Sequence, residues 1–201
     1  MRRGASRAPL AVMALALAAS ALTAPAAVGA VFIVRHAEKQ SEANEKGVPL
    51  SPAGHARAAR LAAMLRDARI VAIYSTDTVR TLSTAEPLAT RAKLTPQIYD
   101  AEGVGAPEKL AARISNEHPT ENVLVVGHSN TVGPLVMALG CAEEVAVGRQ
   151  EYDGLWIIVP ASTSAGGSLP LPSTGKAAAA DASLASAASP RNSPTLLRLR
   201  L

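Results

Sequence analysis

Three short apolar runs in this 201-residue chain each lead into a residue that can hold an anion. Arg35-His36 stands directly after Val31-Phe32-Ile33-Val34, and His128 follows Val123-Leu124-Val125-Val126-Gly127. The run from Ile70 to Tyr74 leads within six residues to Arg80. Two guanidiniums and two imidazoles gathered in one crevice would repel one another if it were empty. A phosphate dianion would relieve that repulsion, because arginine forks match phosphate oxygens bidentately. The pattern therefore points to a phosphate site, provided the fold brings the ends of these runs together.

The elements between the runs make that convergence reasonable. Apolar stretches that stop at ionisable residues read as buried strands of an α/β sheet. Ser51-Pro52 gives an N-cap followed by a proline at the first helical position. Leu61, Met64, Leu65 and Ala68 follow at helical spacing. Further helices are expected over about 78–91, 107–117 and 131–139, with a weak strand near Gln97-Ile98-Tyr99. Leu155 to Val159 supplies the closing strand. Strand–helix alternation implies a three-layer α/β/α sandwich with a mostly parallel sheet. In such sheets ligands bind outside the carboxyl ends of the strands, where neighbouring strands lie about 4.8 Å apart.

Charge and composition limit the alternatives. The chain carries a formal +4, but residues 31–160 hold 13 Lys and Arg against 15 Asp and Glu. The basicity sits in the two ends, so phosphate-backbone binding to nucleic acid by the body is not expected. A single cysteine, Cys141, excludes an intramolecular disulfide or multi-cysteine zinc site. Residues 1–30 read as a secretory signal: Arg2, Arg3 and Arg7, an apolar run from Ala8 to Leu22, then small residues. That reading implies a periplasmic or secreted protein, with membrane contact only if the leader stays uncleaved. Residues 31–160 are the expected domain. Residues 161–201 are rich in Ala, Ser, Pro and Gly and are expected to be disordered.

The motifs resemble those of the histidine phosphatase superfamily, the phosphoglycerate-mutase-like proteins, in their short exported bacterial form. Arg35-His36-Ala37-Glu38-Lys39 resembles the family's Arg-His-Gly/Ala signature, and Leu50-Ser51-Pro52-Ala53-Gly54 its helix start. The stretch from Ile73 to Ala85, with Ser75, Arg80 and Thr84-Ala85, is similar to the second motif. Leu124 to Thr131, with Gly127-His128-Ser129, is similar to the third. The resemblance covers about residues 31–160.

That resemblance implies a metal-independent phosphoric monoester hydrolase with no cofactor, acting on a small phosphorylated substrate. His36 would be the nucleophile, forming a phosphohistidine that water then hydrolyses. Arg35, Arg80 and His128 would hold the phosphoryl oxygens and stabilise their charge, with Ser129 as a further phosphate donor. The general acid is expected at Glu102, with Asp100 as the neighbouring candidate. If neither is placed, phosphoramidates such as phosphohistidine become the better substrates, and a phospho-ligand binding module without turnover is the remaining alternative. Envelope sugar phosphates fit the expected compartment. A metal held by His36, Glu38 and His128 is disfavoured, since two nearby arginines would oppose a cation. Glu38 and Lys39 either line the pocket mouth or pair with neighbours on a loop, and Ser75 either donates to phosphate or serves the turn. Tyr152-Asp153 is read as a turn rather than a pocket residue, Cys141 as core filler, and His55 and His118 as solvent-facing. Oligomeric state is left open.

Overall fold

The computed structural model describes residues 29–42, 45–161 and 193–201. Its strands are β1 (Val31–Arg35), β2 (Ile70–Ser75), β3 (Gln97–Ile98), β4 (Asn122–Gly127), β5 (Gly154–Val159) and β6 (Thr195–Arg200). Its helices are α1 (Pro52–Met64), α2 (Val79–Ala92), α3 (Ala106–Glu117) and α4 (Ser129–Ala138). The six strands form one sheet in the order β3-β2-β4-β1-β5-β6.

Alternation along β1, β4 and β5 creates two apolar faces. Phe32, Val34, Leu124, Val126 and Leu155 pack with Leu61 and Ala62 of α1 and Ala85 and Leu88 of α2. Val31, Ile33, Val123, Val125 and Trp156 pack with Leu110 and Ile114 of α3 and Val132 and Val136 of α4. The result is the expected three-layer α/β/α sandwich, with both cores split by the sheet. Cys141 is buried in the α3–α4 core, as expected.

The sheet is parallel through β3, β2, β4 and β1, and antiparallel at β5 and β6. The parallel part matters for the site. In it β4 lies between β2 and β1, so the carboxyl ends of all three open on one side. His36 N–H donates to Gly127 O at 2.9 Å, which joins the end of β1 to the end of β4.

The expectation of a disordered segment across 161–201 is corrected at its last residues. Thr195 to Arg200 pair with β5 in the register Gly154↔Arg200 to Val159↔Thr195. Leu196 packs against one core, and Leu201 beside β6 against the other. An apolar alternation that finds a free sheet edge gains ladder hydrogen bonds and burial, which composition alone does not report. The leader proposed over 1–30 lies outside the described residues except for positions 29 and 30, as does 162–192. Among the described residues, no helix is long and apolar enough to cross a membrane.

Candidate active site

The nucleophile candidate is fixed from both sides. Its loop docks on α1: Glu38 O accepts from Ser51 N–H at 2.9 Å, and Gly54 approaches so closely that a Cβ there would lie 2.2 Å from that oxygen. On the other side, Ala37 N–H donates to Thr84 Oγ1 at 2.9 Å, and Thr84 Oγ1 donates to Arg80 O at 2.7 Å. The two motifs are thus tied together through Thr84, one helical turn beyond Arg80 on α2. His36 Nδ1 lies 2.7 Å from Ala37 O. A carbonyl can only accept, so Nδ1 carries the proton and Nε2 keeps its lone pair.

The second imidazole, His128, is the N-cap of α4. Its Nε2 lies 2.9 Å from Thr76 Oγ1. Thr76, Thr78 and Thr81 form a hydroxyl cluster at the start of α2, with the Thr78–Thr81 and Thr76–Thr81 oxygens 2.8 and 3.0 Å apart. The rings of His36 and His128 meet edge to face, centroids 5.3 Å apart.

Arg35 is buried. Its Nη1 lies within hydrogen-bonding distance of Gly148 O, Arg149 O and Glu151 O, at 2.8, 2.9 and 3.1 Å. Its Cζ sits 4.0 Å from the centroid of the Tyr152 ring. Arg80 Nη1 donates to Glu45 O at 2.9 Å.

Arg35, His36, Arg80, His128, Ser129 and Glu102 all line one cleft of about 430 Å³, with Lys39, Lys46 and Arg149 around them. An adjoining cavity of about 310 Å³ shares Glu102, His128 and Asn130 with it and contains Asp100. The two carboxylates therefore differ. Glu102 lines both cavities, whereas Asp100 lines the second alone and its Oδ1 accepts Glu102 N–H at 3.0 Å. A larger groove of about 900 Å³ along Arg57, Tyr152 and Leu201 contains neither imidazole.

The electrostatics follow from burial among like charges. Burial, then His128, Arg35 and Arg80, push His36 down to about 3. Burial, then Arg80 and Arg35, push His128 down to about 4. Both arginines are pulled below their usual value, each chiefly by burial, and Arg80 also by Arg35. The cleft thus holds neutral imidazoles beside two cationic forks, an arrangement that suits an oxyanion.

Several sequence expectations move. Glu38 does not border the cleft; both its oxygens accept from Arg57 Nε, at 3.0 and 2.9 Å, and Oε1 from Nη2 at 2.6 Å. Ser75 is fully buried, donates to Thr76 O at 3.0 Å and does not line the cleft. Tyr152 is a buried ring packed between Arg35 and His36, where a turn residue was expected. His118 is tucked against Tyr74, with Nδ1 2.9 Å from Glu121 Oε2, whereas His55 is exposed. Arg57 and Thr76 carried no functional signal in the sequence. Thr84 stood in the second motif, four residues beyond Arg80 in the helical period, but without its tie to Ala37 N–H.

Residues 31–102 match the model of the histidine phosphatase superfamily, branch 1. The matched stretch holds Arg35, His36, Arg80 and Glu102. Likeness of fold extends beyond that stretch. The protein histidine phosphatase SixA in complex with tungstate aligns at TM-score 0.55 and 22% identity, over 65% of this chain and 88% of that one. A mycobacterial glucosyl-3-phosphoglycerate phosphatase with inorganic phosphate aligns at TM-score 0.53 and 17% identity, over 66% and 90%. Mycobacterial hydrolase 1 aligns at TM-score 0.51 and 16% identity, over 66% and 91%. No curated protein sequence matches the chain.

Proposed function

We propose that this chain is a phosphatase of the histidine phosphatase superfamily, with His36 as its nucleophile. The observation that carries the reading is the neutral Nε2 of His36, its proton fixed on Nδ1 by Ala37 O, set among Arg35, Arg80 and His128 in one cleft. Nε2 attacks phosphorus, the bond from phosphorus to the leaving oxygen breaks, and Glu102 supplies the proton that the alkoxide needs. Water then attacks the phosphohistidine, gives its proton to Glu102, and the P–N bond breaks to release inorganic phosphate. Charge on the equatorial oxygens is met by the two guanidiniums and His128. The buried Nε–H of Arg35, which finds no acceptor among the described residues, is a donor that an oxyanion there would satisfy.

The substrate proposed is a small phosphate monoester. Glu102 is exposed on its loop, where its N–H donates to Asp100 Oδ1, and an exposed acid also favours phosphoramidates, whose leaving nitrogen departs readily. Export is proposed on the leader pattern of residues 1–30 alone, and envelope sugar phosphates on that compartment.

The deciding experiment uses p-nitrophenyl phosphate, a sugar phosphate and phosphoramidate. The wild-type chain should turn over at least one of them, and His36→Ala should release no phosphate above background. Glu102→Gln should slow the sugar phosphate about 100-fold or more and phosphoramidate much less. Unchanged turnover in His36→Ala would overturn the assignment, and equal losses on all substrates would remove Glu102 as the acid.

A further inference from the structure

The guanidinium that the phosphatase reading needs most is aimed by a segment with no regular structure of its own. Arg35 Nη1 points at the carbonyls of Gly148, Arg149 and Glu151, and its Cζ stacks on Tyr152. Residues 148–153 belong to no strand or helix. Their internal support is a small turn, in which Glu151 N–H donates to Gly148 O at 3.0 Å and Gly148 N–H to Glu151 Oε2 at 3.2 Å. A short irregular turn cannot by itself hold three carbonyls to the precision that aiming an arginine requires.

What holds it comes from β6. Arg198 Nη2 donates to Glu151 Oε1, and Arg200 Nη1 donates to Asp153 Oδ2 at 2.7 Å. Leu201 N–H donates to Asp153 O at 2.7 Å, extending the β5–β6 ladder into the segment. Beyond the segment, Arg57 Nη1 donates to Leu201 O at 3.1 Å while the same side chain grips Glu38, two residues past His36. The strand thus braces both the cradle of Arg35 and the loop of the nucleophile. Neither Arg198 nor Arg200 lines the cleft of the imidazoles.

We propose that β6 is a clamp for oxyanion binding, with Arg198 and Arg200 as positioning residues that act on Arg35 through Glu151 and Asp153. The inference rests on the phosphatase reading of the same cleft. It assigns a role in the site to a strand that does not itself line the cleft.

The test compares the full chain with Arg198→Gln/Arg200→Gln and Arg198→Lys/Arg200→Lys. Each is measured for KM and kcat on p-nitrophenyl phosphate, for inhibition by vanadate, and for amide exchange over 148–153. The Gln pair should weaken vanadate binding and raise KM about three- to ten-fold, the range that two partly exposed ion pairs can supply. Exchange over 148–153 should quicken, while that of α2 stays unchanged. The Lys pair, which keeps both charges, should recover most of the affinity. A folded Gln pair with wild-type vanadate affinity and KM overturns the clamp, as does a Lys pair as impaired as the Gln pair. Should the Gln pair fail to fold, Glu151→Gln removes the partner carboxylate, leaves its carbonyl on Arg35, and must weaken vanadate in the same direction. A wild-type chain that neither turns over the ester nor binds vanadate removes the phosphatase reading, and the clamp with it. A wild-type chain that does both beside unaltered variants removes the clamp alone.

Discussion

At the scale of single residues, the consequence of burying two imidazoles beside two guanidiniums is that neither carries charge at neutral pH. A protonated His36 would have no lone pair on Nε2, so the depression to about 3 keeps the proposed nucleophile available across the whole physiological range. The tautomer matters as much as the charge, because Ala37 O claims Nδ1–H and leaves Nε2 bare. Nitrogen-15 spectra of the ligand-free chain should show His36 as the Nδ1–H tautomer, with no titration of His36 or His128 between pH 7 and pH 5. A ring at position 36 that protonates near 6.5, the ordinary histidine value, would contradict the burial argument. The kcat/KM profile should then show no loss from His36 until well below pH 5.

At the scale of elements, the loop after His36 and α1 behave as one unit because a glycine lets them touch. Gly54→Ala would place a methyl 2.2 Å from the carbonyl oxygen of Glu38, a backbone atom that cannot swing away. The variant should lose about 1–3 kcal/mol in urea unfolding, as overpacked sites do. Its kcat should fall because Glu38 lies two residues from His36. A variant of wild-type stability and rate would show that the loop is free to shift. The start of α1 was legible from Ser51-Pro52, since Ser51 Oγ accepts from Gly54 N–H at 3.1 Å. The ends of β1, β2 and β4 were legible because apolar runs of buried parallel strands stop where the polar site begins. The direction of β5 was not, since an apolar run has the same pattern in either direction. β6 was hidden because Leu196 to Leu201 follow a long Ala, Ser and Pro stretch, and their partner strand lies some forty positions earlier. The cross-strand charge pairs that mark it join residues 47 apart in sequence, a separation that no local window spans. Tyr152 was hidden for a related reason: one aromatic ahead of a strand has no periodicity, and its contact with Arg35 exists only once β5 lies beside β1.

At the scale of the whole molecule, a cleft that holds two guanidiniums and two neutral imidazoles makes the fold sensitive to protons and to anions in opposite ways. Both histidines have folded values below the ordinary 6.5, so the unfolded chain takes up protons first as the pH falls. Their contribution to stability is complete above about 6.5 and is lost progressively as the pH drops towards 4 and then 3. An oxyanion acts the other way. On the proposed function it binds only the assembled cleft, neutralises the repulsion between Arg35 and Arg80, and stabilises the native state by RT ln(1 + [L]/Kd). Thermal unfolding at pH 7 should therefore show Tm rising with phosphate or vanadate, by an amount equivalent to about 2.7 kcal/mol at a hundred times Kd. In Arg80→Ala the rise should largely vanish, while Tm without ligand stays the same or increases, because one source of buried repulsion is gone. At pH 5 the ligand-free chain should unfold at a lower temperature than at pH 7. Replacing His128 by Gln, which cannot titrate, should make that fall shallower. A Tm that ignores phosphate in the wild type, or an acid slope unchanged by His128→Gln, would mean that these four side chains do not share one electrostatic environment.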